Sequence, residues 1–320
     1  MNIQYRISNI ELRYFLKSIC WFRSLRYSLS HFSSREGIKE WVQGGIAFYI
    51  LLALSIILSI IPFNNLTAQP LQKIHSDLDH ATSISITQNF IYVVEQGENK
   101  LLKLDHTGKQ IEAIGGKGSG DYQFSKPVDV DATNGLKIFI TDFNNRRVQV
   151  FDRRGQYLSS IYGRNYFGVS QRYNPTQIAV SSVGEVYFVD ENEGHIYHFD
   201  LDYNLLDEFR IPIEIESVDE IAINSTEILI LDRSSQTIHR LALNGSYRGF
   251  YPAEGVLAMS TNENGIWKAY AKKAVFEPEA GKPFTLEFGV EVQSLDMHYQ
   301  NKSLFILTHD ALLKMAVPER

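Results

Sequence analysis

Short apolar segments separated by polar turns fill the chain from about residue 70 onward, and four of them end in an acidic residue. These segments are IYVVE (91–95), IFITD (138–142), VYFVD (186–190) and ILILD (228–232). Their acidic ends are 47, 48 and 42 residues apart, and a period of this length is typical of repeat architectures. Each segment is followed by a polar turn, an alternating strand, a Gly- or Asn-centred turn and a further strand. The pattern predicts β-hairpins in tandem.

A short strand of mixed polarity precedes each unit. There are six: SISIT (83–87), VDVDA (128–132), QIAVS (177–181), EIAIN (220–224), LAMST (257–261) and SLDMH (294–298). Six such inner strands predict an all-β, six-bladed β-propeller over residues 69–320. The last unit ends without a fourth strand, and we expect residues 71–75 to supply it, because closing the ring removes an exposed sheet edge.

One unit, residues 115–158, is preserved in most detail. Its features are Gly118-Ser119-Gly120, Phe124, Pro127, then Asp142-x-x-Asn145-x-Arg147 with VQVFD, and Gly155. This unit resembles a complete NHL repeat, and the chain is similar to the six-bladed NHL propellers that bacteria hold outside the cytoplasm. The blades at 81–115, 175–211 and 218–251 keep their strands and turns but lose the Asn-x-Arg pair, and blades five and six depart further from the repeat. The resemblance implies that Asp142, Asn145 and Arg147 serve the turn and the contact between blades.

Residues 46–63, IAFYILLALSIILSIIPF, carry no charge and predict a transmembrane or signal helix. Basic residues cluster before this run, in a leader of residues 1–45. The positive-inside rule therefore places the leader in the cytoplasm and the propeller outside. The small residue Ala68 offers a cleavage point. Retention as a membrane anchor and release into the periplasm or medium both stay open, as does whether residues 1–40 are a true part of the protein.

The charge of the chain is divided unevenly. The first 68 residues carry seven basic and three acidic residues, which leaves 24 basic and 34 acidic residues in the remainder, a net charge of −10. Nucleic-acid affinity comes largely from neutralising phosphates, so an acidic domain makes a nucleic-acid partner unexpected. The single cysteine, Cys20, lies in the leader, and no disulfide can form within the propeller.

The acidic ends of the second strands, Asp142, Asp190 and Asp232 with Glu95, allow two interpretations. A ring of carboxylates from successive blades could bind a cation. Alternatively, each carboxylate accepts hydrogen bonds from the backbone of its own following turn, as Asp side chains commonly do. We favour the structural interpretation for these residues, and for Asn145 and Arg147 as well.

A metal site in the channel is the second chemical hypothesis. His80 precedes the first inner strand, His298 ends the sixth, and Asp129 lies on the second, so ring closure would bring the blades of the two histidines together. Lyases and lactonases of similar fold place metal ligands at the ends of inner strands, which implies Ca²⁺ or Zn²⁺ here. The competing interpretation is that these residues are solvated channel lining and that no cofactor is bound.

Aromatic residues in the loops between blades indicate a contact surface. Tyr122 lies in the first such loop, and Tyr166, Phe167, Arg172 and Tyr173 lie in the longer loop NYFGVSQRYN. Aromatic residues and Arg are favoured at binding hot spots. These loops are expected on the propeller face that leads to the channel mouth.

Two functions follow from these observations. The first is a non-enzymatic extracytoplasmic binding or scaffold propeller whose loop-rich face meets a protein, peptide or glycan partner. The alternative is a metal-dependent lyase or lactonase with its site in the channel. Neither the ligand nor the oligomeric state follows from the sequence.

Overall fold

The computed structural model describes residues 70–166 and 169–318, and the side chains of residues 164–171 are outside this description. Four-stranded antiparallel sheets form six blades. Blade 1 contains β2 (Ala81–Ile86), β3 (Ile91–Glu95), β4 (Lys100–Leu104) and β5 (Gln110–Gly115); blade 2 contains β6 (Pro127–Asp131), β7 (Lys137–Asp142), β8 (Arg147–Asp152) and β9 (Tyr157–Ile161). Blade 3 contains β12 (Pro175–Val180), β13 (Val186–Asp190), β14 (His195–Phe199) and β15 (Leu205–Arg210); blade 4 contains β16 (Glu220–Ile223), β17 (Glu227–Asp232), β18 (Thr237–Ala242) and β19 (Tyr247–Pro252). Blade 5 contains β20 (Ala258–Asn262), β21 (Gly265–Ala269), β22 (Lys273–Pro278) and β23 (Phe284–Glu287); blade 6 contains β24 (Asp296–Gln300), β25 (Ser303–Leu307), β26 (Ala311–Ala316) and β1 (Gln72–Ser76).

The ring closes as the sequence predicts. Strand β1 is the outer strand of blade 6 and pairs antiparallel with β26, with Gln72 opposite Lys314 and Ser76 opposite Ala311. The first strand of the described chain therefore completes the last blade. This arrangement joins the two ends of the propeller by main-chain hydrogen bonds and leaves no unfinished blade.

The second strands explain why the repeat is so visible in the sequence. Every residue of β3, β13 and β17 is buried, because each blade has a neighbour on both of its faces. A strand that is covered on both sides has a continuous apolar run instead of alternation. The outer strand β5 is largely exposed by contrast, which matches its more polar sequence.

Six apolar cores hold the described blades together, and each lies between two adjacent blades. The core between blades 1 and 2, for example, combines Tyr92 and Ile114 with Ile138 and Phe151. Gly155 of blade 2 has φ +90°, and a Cβ on it would lie 2.6 Å from the Ile114 side chain. The repeat glycine thus permits both the turn and the close approach of two blades.

The inner strands β2, β6, β12, β16, β20 and β24 surround the channel and run in one direction. We call the face where they begin, which bears the connections between blades, the linker face, and the opposite face the turn face. The longer connection from blade 2 to blade 3 is not a plain loop, because it forms a hairpin of β10 (Gly163–Tyr166) and β11 (Val169–Arg172).

No helix in the described part of the chain is long and apolar enough to span a membrane. The predicted membrane or signal segment, residues 46–63, the leader before it and Ala68 all lie outside the described residues.

Candidate functional site

The acidic residues that end the second strands bind backbone N–H groups. Asp190 accepts hydrogen bonds from Asn174 N at 2.8 Å and Glu193 N at 3.2 Å. Asp232 accepts them from Glu216 N at 2.7 Å and Ser235 N at 3.0 Å. In both cases one donor lies in the turn that follows and the other in the connection that enters the blade.

The pKa values of these two carboxyls differ in direction. Burial raises the pKa of Asp190. For Asp232 burial also acts to raise the pKa, but the hydrogen bonds from Ser235, Glu216 and Ser217 outweigh it and hold the pKa well below its usual range. Glu95 accepts a hydrogen bond from Asp79 N at 2.8 Å, again in the connection that enters its own blade. The carboxylates thus fasten local backbone.

The best-preserved repeat has a more extensive network. Arg147 and Asp142 are both fully buried, and Arg147 Nε donates to Asp142 Oδ2 at 2.9 Å. Arg147 Nη2 also donates to the carbonyl oxygens of Gly120 and Gln123, each at 2.8 Å. Asn145 Nδ2 donates to Asp142 Oδ2 at 2.8 Å. These bonds attach the connection from blade 1 to the turn of blade 2.

The channel side chains join neighbouring blades. Asp129 Oδ2 on β6 accepts the N–H of Ile178 on β12 at 2.8 Å, and Asp131 Oδ2 accepts the N–H of Val180 at 2.7 Å. An inner strand has no partner strand on its channel side, so its N–H groups need other acceptors. A side chain of one inner strand thus satisfies the backbone of the next strand around the ring.

The same contact recurs at other junctions among the described strands. In each case a side-chain oxygen of one inner strand accepts an N–H of the next. The pairs are Ser83 with Val130, Ser85 with Ala132, Glu220 with Met259, Ser260 with Tyr299 and Asp296 with Ile84, at 2.8–3.2 Å. We call these contacts the inner-strand clasps.

Burial strongly affects the titration of the clasp residues. It raises the pKa of Asp129 to about 7, to which the negative charge of Asp296 adds, and it raises the pKa of Asp296 to about 6. Burial and the charge of Asp296 also raise the pKa of Glu220. His298 is affected in the opposite sense, since burial lowers its pKa to about 4.

Arg233 spans the linker-face end of the channel. Its Nε donates to Leu257 O at 2.8 Å and its Nη2 to Leu295 O at 3.0 Å, so one side chain of blade 4 contacts the entries to blades 5 and 6. The positive charge of Arg233 acts to lower the pKa values of Glu220 and Asp296, against the larger effect of burial.

The channel contains a cavity of about 330 Å³ that extends toward the turn face, where Asn134, Ser182 and Gln300 line it. The connecting loops with the aromatic candidates lie on the other face. These loops therefore do not border this cavity, and their position beside a channel mouth stays a prediction.

The three candidate metal ligands do not converge. Asp129 and His298 line the cavity, whereas His80 is exposed outside it and is hydrogen-bonded to Asp79 at 2.7 Å. Ile84 lies level with Asp296, so His80 and His298 are six positions apart along parallel strands, roughly 20 Å. Among the described residues no group of three or more His, Cys, Asp or Glu side chains is arranged to hold a metal ion.

The aromatic candidates have different environments. Tyr173 is 1% exposed, and its ring lies 4.5 Å from that of Tyr197 and 5.1 Å from that of Phe188. The prediction that Tyr173 belongs to a contact surface is therefore wrong, because the hairpin returns the chain into the core between blades 2 and 3. Tyr122 is 40% exposed and packs on Phe151.

Two further candidates have no described side chain. Tyr166 ends β10, and Phe167 lies outside the described residues. Their place in a contact surface stays a prediction.

Arg172, the remaining candidate, lines a recess on the linker face. The recess measures about 580 Å³, and its lining consists of Ser119, Asn144, Asn145, Arg146, Arg147, Tyr162 and Arg172. Arg146 and Arg172 are exposed, and Tyr162 is 46% exposed. Arg147 Nη1 donates to the Tyr162 hydroxyl at 3.4 Å.

Comparison with known proteins supports the fold. The NHL repeat model matches residues 124–151, which run from the connection before blade 2 into β8, and the chain thus carries an NHL repeat in a six-bladed β-propeller. No curated protein matches the chain in sequence.

Several solved structures share the architecture at low sequence identity. A streptogramin B lyase is 13% identical with a TM-score of 0.53, and the match covers 78% of this chain and 87% of that one. A virginiamycin B lyase from Staphylococcus aureus is 13% identical with a TM-score of 0.53, and the match covers 78% of this chain and 89% of that one. A gluconolactonase from Xanthomonas campestris is 12% identical with a TM-score of 0.57, and this match also covers 78% of this chain and 89% of that one. Likeness at this level of identity shows the fold alone.

Proposed function

We propose that this chain is a non-enzymatic binding propeller, held outside the cytoplasm, that presents its linker face to a protein, peptide or glycan partner. The observation that carries the proposal is the recess at Arg146, Tyr162 and Arg172. It is a concave site that combines exposed guanidinium groups with an exposed aromatic ring, which is typical of binding hot spots. The extracytoplasmic location rests on residues 46–63 and the basic leader before them.

The contacts in the channel also favour a binding function over a catalytic one. Asp129, Asp131 and Asp296 use their carboxylate oxygens to accept backbone N–H groups from adjacent blades. Moving these oxygens to serve a reaction would break the clasps that join the inner strands. We therefore assign the acidic channel to the stability of the ring.

A metal-dependent lyase or lactonase remains the alternative, and one observation favours it. Carboxyls with raised pKa values in a cavity are candidates for general acid or base catalysis, and Asp129 is such a group. Under this alternative Asp129 and His298 would take part in the site, and Ca²⁺ or Zn²⁺ would be required.

Binding to an array of glycans and peptides tests the proposal. The full-length protein should bind a defined set of ligands, and the double variant Arg146→Gln/Arg172→Gln should lose them. Arg153→Gln is the matched control, because it removes an exposed arginine from the same blade at its turn face. Equal ligand binding by the double variant and by Arg153→Gln would contradict the proposal. Metal-dependent turnover that is lost in Asp129→Asn would contradict it as well.

A further inference from the structure

The recess on the linker face contains two positive charges that the described structure leaves uncompensated. No hydrogen bond or ion pair within the described residues involves the side chain of Arg146 or of Arg172. Arg147, which also lines the recess, donates to Asp142, to two backbone carbonyls and to the Tyr162 hydroxyl. The buried pair of Arg147 and Asp142 is electrically neutral. The recess therefore carries the charge of Arg146 and Arg172.

This positive charge is local. The described lining of the recess contains no carboxylate, although the chain beyond residue 68 has a net charge of −10. Arg146 has φ +55°, a conformation that is uncommon for a residue other than glycine. It sits directly before Arg147 in the turn of blade 2. With Arg147 turned into the protein, the turn leaves Arg146 exposed beside the recess.

The polar groups around the two arginines suit a sugar. Ser119 and Asn144 are exposed in the lining and offer a hydroxyl and an amide oxygen to hydroxyl groups of a ligand, while Asn144 Nδ2 donates to Ser125 Oγ at 3.2 Å. Tyr162 offers an aromatic surface, and its position is set by Arg147, whose guanidinium carbon lies 5.9 Å from the ring centroid. Amphipathic rings such as tyrosine combine an apolar face with a polar tip.

We propose that this recess binds the carboxylate of an acidic saccharide, a uronic-acid unit, between Arg146 and Arg172, with Tyr162 against the sugar ring. The proposal rests on the proposed binding function and names its ligand class. The planar guanidinium fork matches the two oxygens of a carboxylate, and such charge-assisted bonds are stronger than neutral ones. Two free arginines match one carboxylate group.

A nucleic acid is a poorer match for the same site. Binding to a phosphate backbone draws its affinity from the neutralisation of many phosphates by a continuous basic surface. Here two free arginines are surrounded by an acidic domain, which repels the rest of a polyanion.

Isothermal titration of the full-length protein, purified in detergent, with trigalacturonate tests the inference. The wild-type protein should bind trigalacturonate and should not bind its methyl ester, which lacks the negative charge. Arg172→Gln and Arg146→Gln should each weaken binding about tenfold or more, because a hydrogen bond to a charged group contributes about 1.5–3 kcal/mol. Arg172→Lys should recover only part of the affinity, since it restores the charge without the fork. Arg153→Gln should bind within about twofold of wild type.

Other outcomes overturn the inference. These are no binding of trigalacturonate, equal binding of the methyl ester, affinity unchanged by both arginine substitutions, or equally tight binding of inorganic phosphate or of an RNA oligonucleotide. Such a result leaves the array experiment to decide the broader function, because a neutral glycan or a peptide could still depend on the linker face. Thermal melting of every variant confirms that the exposed substitutions leave the ring folded.

Discussion

Asp129 on the inner strand of blade 2 accepts the backbone N–H of Ile178 on the inner strand of blade 3, at 2.8 Å. The two residues are 49 positions apart in the chain. Their contact shows how a ring of separate sheets is held at its centre, where each sheet would otherwise expose an unpaired edge. The Asp129 carboxylate is kept in a buried site, which raises its pKa. The clasp can therefore be followed through the pH dependence of stability.

The first prediction concerns Asp129→Asn. The pKa of Asp129 is about 7 in the folded protein and about 3.9 for an unperturbed Asp. The folded state thus binds more protons between pH 4 and 7, and this group contributes stability at low pH that is lost as pH rises through 7. The melting temperature of Asp129→Asn relative to wild type should therefore increase from pH 5 to pH 8. A difference independent of pH would contradict the raised pKa.

His298→Gln should show the opposite dependence. The pKa of His298 is about 4 in the folded protein against about 6.5 when unperturbed. Between these pH values the unfolded state binds more protons than the folded state, so this group lowers the stability of the wild-type protein as pH falls. Relative to wild type, the variant should gain melting temperature as pH falls from 7 to 5. Asp129→Asn is the internal comparison. The two variants alter the same channel, and their melting-temperature differences from wild type change in opposite directions with pH.

The buried pair of the NHL repeat gives the third prediction. Arg147→Met removes the cation and leaves Asp142 charged and buried, which typically costs about 3–5 kcal/mol. Urea unfolding should show a large loss of stability. Arg146→Gln is the control, because this neighbouring side chain is exposed and makes no described contact, and it should change stability by less than about 0.5 kcal/mol. Equal effects of the two substitutions would show that the Arg147 network is not structural.

The fourth prediction separates core from surface tyrosines. Tyr173→Ala should lower stability by about 3–5 kcal/mol, the usual cost of deleting a buried aromatic side chain. Tyr162→Ala removes a ring that is 46% exposed, and it should leave the urea midpoint nearly unchanged while weakening ligand binding. If Tyr173→Ala alone abolished binding with no loss of stability, the assignment of Tyr173 to the core would be wrong.

The orientation of the chain can be tested with its single cysteine. Cys20 lies in the predicted cytoplasmic leader, and Leu136 is 68% exposed on the propeller. A membrane-impermeant maleimide applied to intact spheroplasts should label Cys20→Ser/Leu136→Cys and should not label the wild-type protein. Labelling of Cys20 alone would reverse the topology. The size of the labelled chain shows whether the leader is retained.

Blade number and ring closure could be predicted because they depend on features that repeat. Buried second strands such as β3 and β17 have unbroken apolar runs at a constant period, and the missing strand of blade 6 leaves residues 71–75 as the available partner. The clasps could not be predicted in the same way. The contact of Asp129 with Ile178 depends on the relative height of two strands around the ring, and the sequence pattern contains no information about that height.

The site was predicted less completely than the fold. The composition of its loop makes Arg172 a candidate, and its binding role stays a prediction, whereas Tyr173, the next residue, points into the core because the β10–β11 hairpin reverses the chain. Arg146 and Arg233 were missed. The sequence does contain a signal for Arg146. This residue lies directly before Arg147 in the tight turn of the NHL motif, and because Arg147 is fully buried, Arg146 faces solvent.

Metal analysis of the purified full-length protein tests the central claim most directly, namely that the channel carboxylates join the blades and that the protein binds without catalysis. The account predicts less than stoichiometric Ca²⁺ and Zn²⁺ after dialysis, with the same content in wild type, Asp129→Asn and His298→Gln. One tightly held ion per chain that both substitutions remove would contradict the account and would assign the channel to a metal-dependent reaction.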